Sequence, residues 1–569
     1  MKPMERTVTT VTPQAKCPQV RIAASESASA TSGHGALLHR GNASILAVLC
    51  VAALFAGALP AAEANPPKYV AFAWEFGGSS PQDMLKVVDQ FDRTPLDGVG
   101  LKLRADAVID GVRTNLNYRR FMQAPAWPKE AFASQIPHFR KLTAHKSMRH
   151  SFLTSFHCPR TRIAWTDDAA WAVVAKSMRT VAWVAKQGGL KGISADPEDY
   201  RKVQQFIRRP GEPPYDELCE IVRRRGRELF KPVFEEYPDV TLHFFWFMSN
   251  VRFYVRRDGT DPERMVRLDE SLWPAFLNGV LDVLPPGASI NDGDEEGYWH
   301  SAAKNGYRNG AYLFHHVYPK LVAPENLGKY RRQVRYVPPI YMDMYTNGER
   351  SSWYKGPTDG SRTETLRRDL RQAADVCGGY IWFWGEKHPW VNHGSKWRKP
   401  DGRIADATWA DKLPGLFRAM AWAKDPIALY GREVAALEAK GALTNLYPAG
   451  NVVVRNDNEG VTTKPFRDYE RYGVGNVFVT NSVPATGGAY YAISYDVKGI
   501  GPRLNVFFQD ANGTNLAPTI NFIYPDLRRG IIRAPSGSAS ATFVFGAKNA
   551  PGEETVYSNI KFCKLEDEE

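Results

Sequence analysis

The chain has little cysteine: six in 569 residues. Cys17 and Cys50 fall in the first 64 residues, so Cys158, Cys219, Cys377 and Cys563 serve all the rest. That excludes a disulfide scaffold and leaves buried thiols with room for one bridge. No CxxC pair or Cys/His cluster with zinc spacing is present, and His388 and His393 share a loop without a clear third ligand, so no metal is expected. A GxGxxG or Walker loop is also missing, so no nucleotide cofactor is expected. Nucleic-acid motifs are missing too. Long apolar runs are absent apart from Ile45–Leu59, which is preceded by Arg40 and followed by Ala62-Glu63-Ala64. A run this short with a small-x-small site behind it reads as a secretory signal occupying residues 1–64, with a mature start near Asn65. A secreted protein, extracellular or periplasmic, with no membrane span after cleavage is the expectation.

Charge is uneven. The net charge is +12, and residues 65–445 hold 56 basic against 45 acidic side chains, while residues 446–569 hold 12 against 13. A basic secreted domain can meet an acidic polysaccharide. Tryptophan is uneven as well: all fifteen lie within 65–445.

Residues 66–425 alternate between strand-like and helix-like patterns. Strands are expected at 69–75, 98–104, 151–157, 192–196, 241–248, 288–291, 339–345 and 379–384. Helix-period stretches lie between them, as at 128–145, 167–186, 214–234, 270–283 and 364–376. Eight such units imply a (β/α)8 barrel. After Leu446 the helical period gives way to seven short alternating runs between Gly, Asn, Pro and Asp, the pattern of an antiparallel β-sandwich over 446–569.

Strand parity then selects inward side chains. It sends Phe72, Phe152 and Phe156 outward. It sends Glu75, Lys102, Arg104, Ser155, His157, Asp196, Asp343, Tyr345, Trp384 and Glu386 inward, most of them at C-terminal strand ends where barrel active sites are built. Ala195-Asp196-Pro197-Glu198-Asp199-Tyr200 is the sharpest motif: Pro197 stops the strand, leaving two carboxylates at the rim. Neighbouring carboxyls can be driven to different pKa values, giving an acid and a base from the same chemistry. The sixth strand runs into Asn291-Asp292-Gly293-Asp294-Glu295-Glu296, where parity does not choose between Asp294 and Glu295. Trp246, Trp299, Trp353, Trp382, Trp384, Trp390 and Trp397 sit at or after the late strands, and aromatic faces stack on sugar rings.

In this placement of carboxylates on a barrel, residues 66–425 resemble the secreted (β/α)8-barrel glycoside hydrolases. The resemblance implies catalytic acids at strand four (Asp196, Glu198), strand six (Asp294 or Glu295) and strand seven (Asp343). It implies a polysaccharide or oligosaccharide substrate cleaved by two carboxylates. Glu198 is the first choice for acid/base, and Asp196 for nucleophile or charge stabiliser. Glu75, Lys102, Arg104, His157, Trp384, Glu386 and His388 would bind substrate, and the lysine and arginine suggest an anionic glycan. Ala489–Lys498 and Val556–Leu565 resemble jelly-roll carbohydrate-binding modules, with Tyr469, Tyr472 and Tyr524 as candidate contacts. Two other classes stay open: a non-catalytic glycan-binding barrel, and a polysaccharide lyase using Tyr345 or His157 as base.

Overall fold

The computed structural model describes residues 66–77, 80–118, 121–199, 203–251, 261–357, 361–393, 407–455, 475–499, 501–516, 521–523, 528–549 and 552–566. The apolar run at 45–59, Trp397, Tyr469, Tyr472 and Tyr524 lie outside them.

The eight expected apolar runs form strands β1 (Lys68–Ala73), β2 (Gly98–Lys102), β5 (Phe152–His157), β6 (Gly192–Asp196), β7 (Thr241–Phe244), β8 (Ser289–Asp292), β10 (Pro339–Tyr341) and β11 (Tyr380–Gly385). A further short strand, β9 (Val334–Tyr336), precedes β10. Between them run amphipathic helices such as Asp168–Gln187, Tyr215–Glu236 and Arg362–Val376. The first of these starts where the Asp167 side chain accepts the Ala170 amide, filling a donor that helix geometry leaves open. A hairpin that parity reading missed, β3 (Arg104–Ile109) and β4 (Val112–Asn117), turns at Asp110 and Gly111, both at positive φ. Asp-Gly is the pair such a turn favours.

All nine sheet strands run parallel, in the order β10-β11-β1-β2-β5-β6-β7-β8-β9. The two edge strands are consecutive pieces of one extended segment, separated by Val337 and Pro338. Its first half bonds to β8 and its second half to β11. Side-chain contacts show how tightly the sheet curls. Phe72 of β1 stacks on His243 of β7 at 4.9 Å between ring centroids, although β7 lies four strands away, roughly 19 Å in a flat sheet. Phe152 at 6.3 Å and Trp382 at 5.8 Å join Phe72 there.

Two expectations are thereby corrected. Phe72 and Phe152 fill the inside of the curl and do not face the helices. Gly100 makes the room: a Cβ there would stand 2.1 Å from the Phe72 ring. Gly100→Ala is expected to destabilise the fold by about 1–3 kcal/mol through overpacking. An unchanged urea midpoint would contradict this packing.

From Val452 onward the chain is antiparallel. Its strands are β12 (Val452–Arg455), β13 (Gly475–Pro484), β14 (Tyr490–Lys498), β15 (Arg503–Gln509), β16 (Asn521–Ile523), β17 (Arg529–Arg533), β18 (Ser540–Asn549) and β19 (Glu554–Lys564). They make two four-stranded sheets, β12-β19-β14-β17 and β13-β18-β15-β16. Tyr491, Ile493 and Phe562 of one sheet share a core with Val506, Phe508 and Phe543 of the other. On the opposite face, Tyr490, Ala492 and Ile531 pack against Leu429, Tyr430 and Val434 of helix Pro426–Ala439. Cys158, Cys219, Cys377 and Cys563 are all free thiols. Among the described residues no helix is long and apolar enough to cross a membrane.

Candidate active site

Strand β6 ends in Asp196, and Pro197 cannot extend its ladder. The Asp196 carboxylate accepts the Glu198 amide at 3.2 Å, so the chain turns around its own aspartate and brings Glu198 to the half-exposed rim. The other Asp196 oxygen lies 3.3 Å from His157 Nδ1 at the end of β5. His157 faces Asp196 because of a bulge. The register of β5 on β6 slips between Thr154 and Phe156, so Thr154 pairs with Ser194 and His157 with Asp196. Thr154 takes the Ser194 hydroxyl at 2.9 Å on the inner side. Simple alternation reached His157 only by sending Phe152 the wrong way; the extra residue restores the parity.

The Tyr118 ring lies 4.9 Å from His157, and Lys102 Nζ sits 4.6 Å over the same tyrosine ring. Lys102 therefore belongs to this group. Arg104 is exposed, at the first position of the β3–β4 hairpin.

After β8 the ambiguity of the acidic loop is resolved by backbone direction. Asp294 sits in the left-handed region at φ 42°, and a turn over Glu295–Trp299 follows. Asp294 is thrown away from the rim and buried, bonded at 3.1 Å to His300 Nε2 and at 3.1 Å to the Tyr336 hydroxyl. Glu295 is thrown toward Asp196 and Glu198. Its Oε1 accepts the Tyr298 hydroxyl at 3.1 Å, while Oε2 is shut off from solvent with no hydrogen-bond partner. Burial first, and then the charges of Asp196 and Glu198, push the Glu295 carboxyl well above the usual carboxylate range. Three carboxyls thus share one place, and the buried one is pushed up by the other two.

A second acidic pair stands across the aromatic floor. Trp382 donates its indole N–H to the Gly293 carbonyl at 2.8 Å and stacks on Phe245 at 4.5 Å. Tyr298 lies 5.6 Å from Trp382 and 5.0 Å from Tyr341. Beyond Tyr341, the buried Asp343 accepts the Glu386 amide at 2.9 Å, and Trp384 donates to the Glu386 carboxylate at 3.0 Å. Burial pushes Asp343 up to about 7, with the Glu386 charge adding to the rise.

No family model matches this chain. No curated protein sequence matches it either. Solved structures resemble it faintly. A GH18 chitinase from Pseudoalteromonas aurantia is 12% identical over 63% of this chain and 99% of its own, with a TM-score of 0.29. A GH27 β-L-arabinopyranosidase from Geobacillus stearothermophilus is 10% identical over 89% of this chain and 98% of its own, at 0.29. A 3-keto-D-glucoside 4-epimerase from E. coli, at 11% identity over 63% and 98%, also scores 0.29. None of these scores reaches 0.5, so the chemistry has to be argued from the residues themselves.

Several expected residues lie outside the group. Tyr345 is buried and donates to Asp369 at 2.6 Å, because the strand stops at Tyr341 and a turn over Met342–Tyr345 breaks the alternation. Glu75 is buried and holds the segment after β11, accepting the Trp390 amide at 2.7 Å and meeting His393 Nε2 at 2.5 Å. His388 packs edge-on against Trp409 at 5.0 Å. Trp390 is buried, Trp246 half-buried, and Trp299 and Trp353 exposed. Tyr118, Tyr298 and Tyr341 join the group although no strand rule selected the first two. Among the described residues, the one trio at metal-binding distance is Asp89, Asp92 and His145. Asp92 is already occupied by His145 and Ser147 at 2.8 and 2.7 Å.

Proposed function

We propose that residues 65–445 form a (β/α)8 barrel that hydrolyses glycosidic bonds at the Asp196–Glu198–Glu295 cluster. The reading is carried by the meeting of Glu295, after β8, with Asp196 and Glu198 at the end of β6, where burial and the two neighbouring charges push the Glu295 carboxyl up. Hydrolysis of a glycoside needs one protonated carboxyl at the leaving oxygen and one ionised carboxyl at the anomeric carbon or its attacking water. In this reading Glu295 is the acid, replacing Glu198 in that role. Glu198 is the attacking or water-activating carboxylate, and Asp196, held by His157, stabilises developing positive charge. Lys102, Tyr118, Tyr341, Trp384 and Glu386 bind the substrate, and Asp343 supports the Glu386 segment.

The local charge favours a neutral glycan over an anionic one. Among the described residues, Arg104 lies exposed on the hairpin, and the carboxyls of Asp196, Glu198 and Glu295 stand with Lys102 and His157. The same imbalance disfavours a lyase, which needs cations beside a uronate, as does the engagement of Tyr345 by Asp369. We take residues 1–64 as a secretion signal, so that the enzyme acts outside the cytoplasm. The β-sandwich from 446 onward is taken as a jelly-roll module of the carbohydrate-binding type.

The test is product analysis on neutral and uronate-rich polysaccharides, using the wild type and Asp196→Asn/Glu198→Gln. Saturated products from the wild type, at least about 100-fold fewer from the variant, and a preference for neutral glycans are expected. Unsaturated products would favour the lyase. Binding without any release would favour a non-catalytic glycan-binding barrel. Equal release by both proteins would remove these carboxyls from the chemistry.

A further inference from the structure

The turn that carries Glu295 ends in Trp299, whose indole stays out of the core. Trp299 is 44% exposed and Trp353, from the segment after β10, is 38% exposed. Their rings stack at 4.4 Å between centroids with 25° between planes. Tyr341 meets Trp353 edge-on at 5.4 Å and packs on Tyr298, the residue bonded to Glu295. A continuous aromatic path thus leads from the carboxyl cluster to the rim. Indoles carry large apolar faces, and leaving two of them in water costs the folded chain stability unless something covers them.

The pair is braced from beneath by buried polar bonds. Lys355 Nζ donates to the His300 carbonyl, next in the chain to Trp299, at 2.5 Å. The same ammonium pairs with Asp369 at 3.0 Å, which also takes the Tyr345 hydroxyl. His300 is in turn held by Asp294. On the other side, Asn347 donates to the Trp353 carbonyl at 2.5 Å, and Arg362 fixes the Asn347 carbonyl at 2.7 Å. Lys355 thereby ties the Trp299 turn to the Trp353 segment. Tyr345, which alternation sends to the reacting centre, and Asp294, one of the two acids between which it does not choose, serve as the struts of this pair. A braced, flat, apolar surface linked to a group of carboxyls is preorganised for a flat ligand with one apolar face and hydroxyl edges.

Resting on the glycosidase reading, we propose that Trp299 and Trp353 form an outer subsite. It takes one pyranose ring of a neutral glycan chain whose preceding units reach Glu295. The substrate is then a chain of several sugars, not a disaccharide.

The test uses the full chain carrying Glu295→Gln, so that ligand is not consumed, in titration calorimetry. The ligands are di- and hexasaccharides of the cello, xylo, manno and chito series. A bound hexasaccharide is expected to exceed its disaccharide in affinity by about 10-fold or more. Trp299→Ala or Trp353→Ala should erase that margin while leaving disaccharide affinity within about twofold. Trp299→Phe and Trp353→Phe should keep most of it, which separates loss of stacking from misfolding. The proposal is overturned if the alanine variants bind hexasaccharide normally, if they weaken both lengths equally, or if none of the glycans binds. It is also overturned if sedimentation shows a wild-type dimer that Trp299→Ala splits, which would make the surface a contact between copies. Trp-dependent length preference without any product from the wild type would keep the subsite and refute hydrolysis. Product release with Trp-indifferent binding would do the reverse.

Discussion

Glu295→Gln is expected to lower kcat on any glycan the wild type cleaves by about 10²–10⁴-fold, the usual contribution of a positioned general acid. The substitution keeps the shape and the Tyr298 bond at Oε1 and removes the acidic proton. In the wild type, burial and the charges of Asp196 and Glu198 hold the Glu295 proton past the normal carboxylate range. Activity should therefore decline on the alkaline side as Glu295 ionises, and the residual activity of the variant should lack that limb. Stability should not suffer, because Gln cannot ionise beside two carboxylates. A variant that is folded and still active within a few-fold of wild type would end Glu295's candidacy as the acid. A variant whose circular dichroism collapses would show a structural role instead.

Asp343→Asn is the second large effect, and it is an effect on stability. Burial, the main cause, pushes Asp343 up to about 7 in the folded protein, while an unburied aspartate titrates at about 4. Between those values the unfolded chain has released the proton and the folded chain retains it. The contribution of Asp343 to stability is therefore greatest below about pH 4 and is lost progressively as pH rises to about 7. At about 1.4 kcal/mol per unit, the full loss is bounded by roughly 4 kcal/mol. Asparagine keeps an oxygen for the Glu386 amide and does not ionise. The variant should match the wild type in urea at pH 4 and exceed it at pH 8. An equal midpoint at both pH values, or a variant weaker at pH 8, would contradict the burial of this carboxyl.

The strands were legible in the sequence, and the direction of individual side chains was less so. Repeating strand and helix periods located all eight expected strands, and Pro197 marked the end of β6. Alternation failed wherever the backbone stopped being a plain strand. The bulge between Thr154 and Phe156 reversed the face of the first half of β5. The turn at Met342–Tyr345 removed Tyr345, and the left-handed backbone at Asp294 decided a choice between two adjacent acids that alternation left open. None of these is encoded by a residue that a period-2 rule can see. The β3–β4 hairpin did carry a usable signal, Asp110-Gly111 between alternating residues, and Arg104 opens that hairpin. Tyr118 and Tyr298 lie on connections between strands, and only the folded geometry brings them beside His157 and Glu295.

The pairing of β1 has a consequence during biosynthesis. One of its neighbours, β2, emerges soon after it, but the other is β11, and Lys68 bonds in register with Tyr380. One edge of an almost wholly buried strand must therefore wait for about three hundred further residues to leave the ribosome, roughly 15–60 s at ordinary elongation rates. Throughout that interval the growing chain presents an apolar, unpaired strand edge, the kind of surface that recruits neighbouring chains. Nascent chains ending before Gly385 should depend on chaperones far more than the finished protein does.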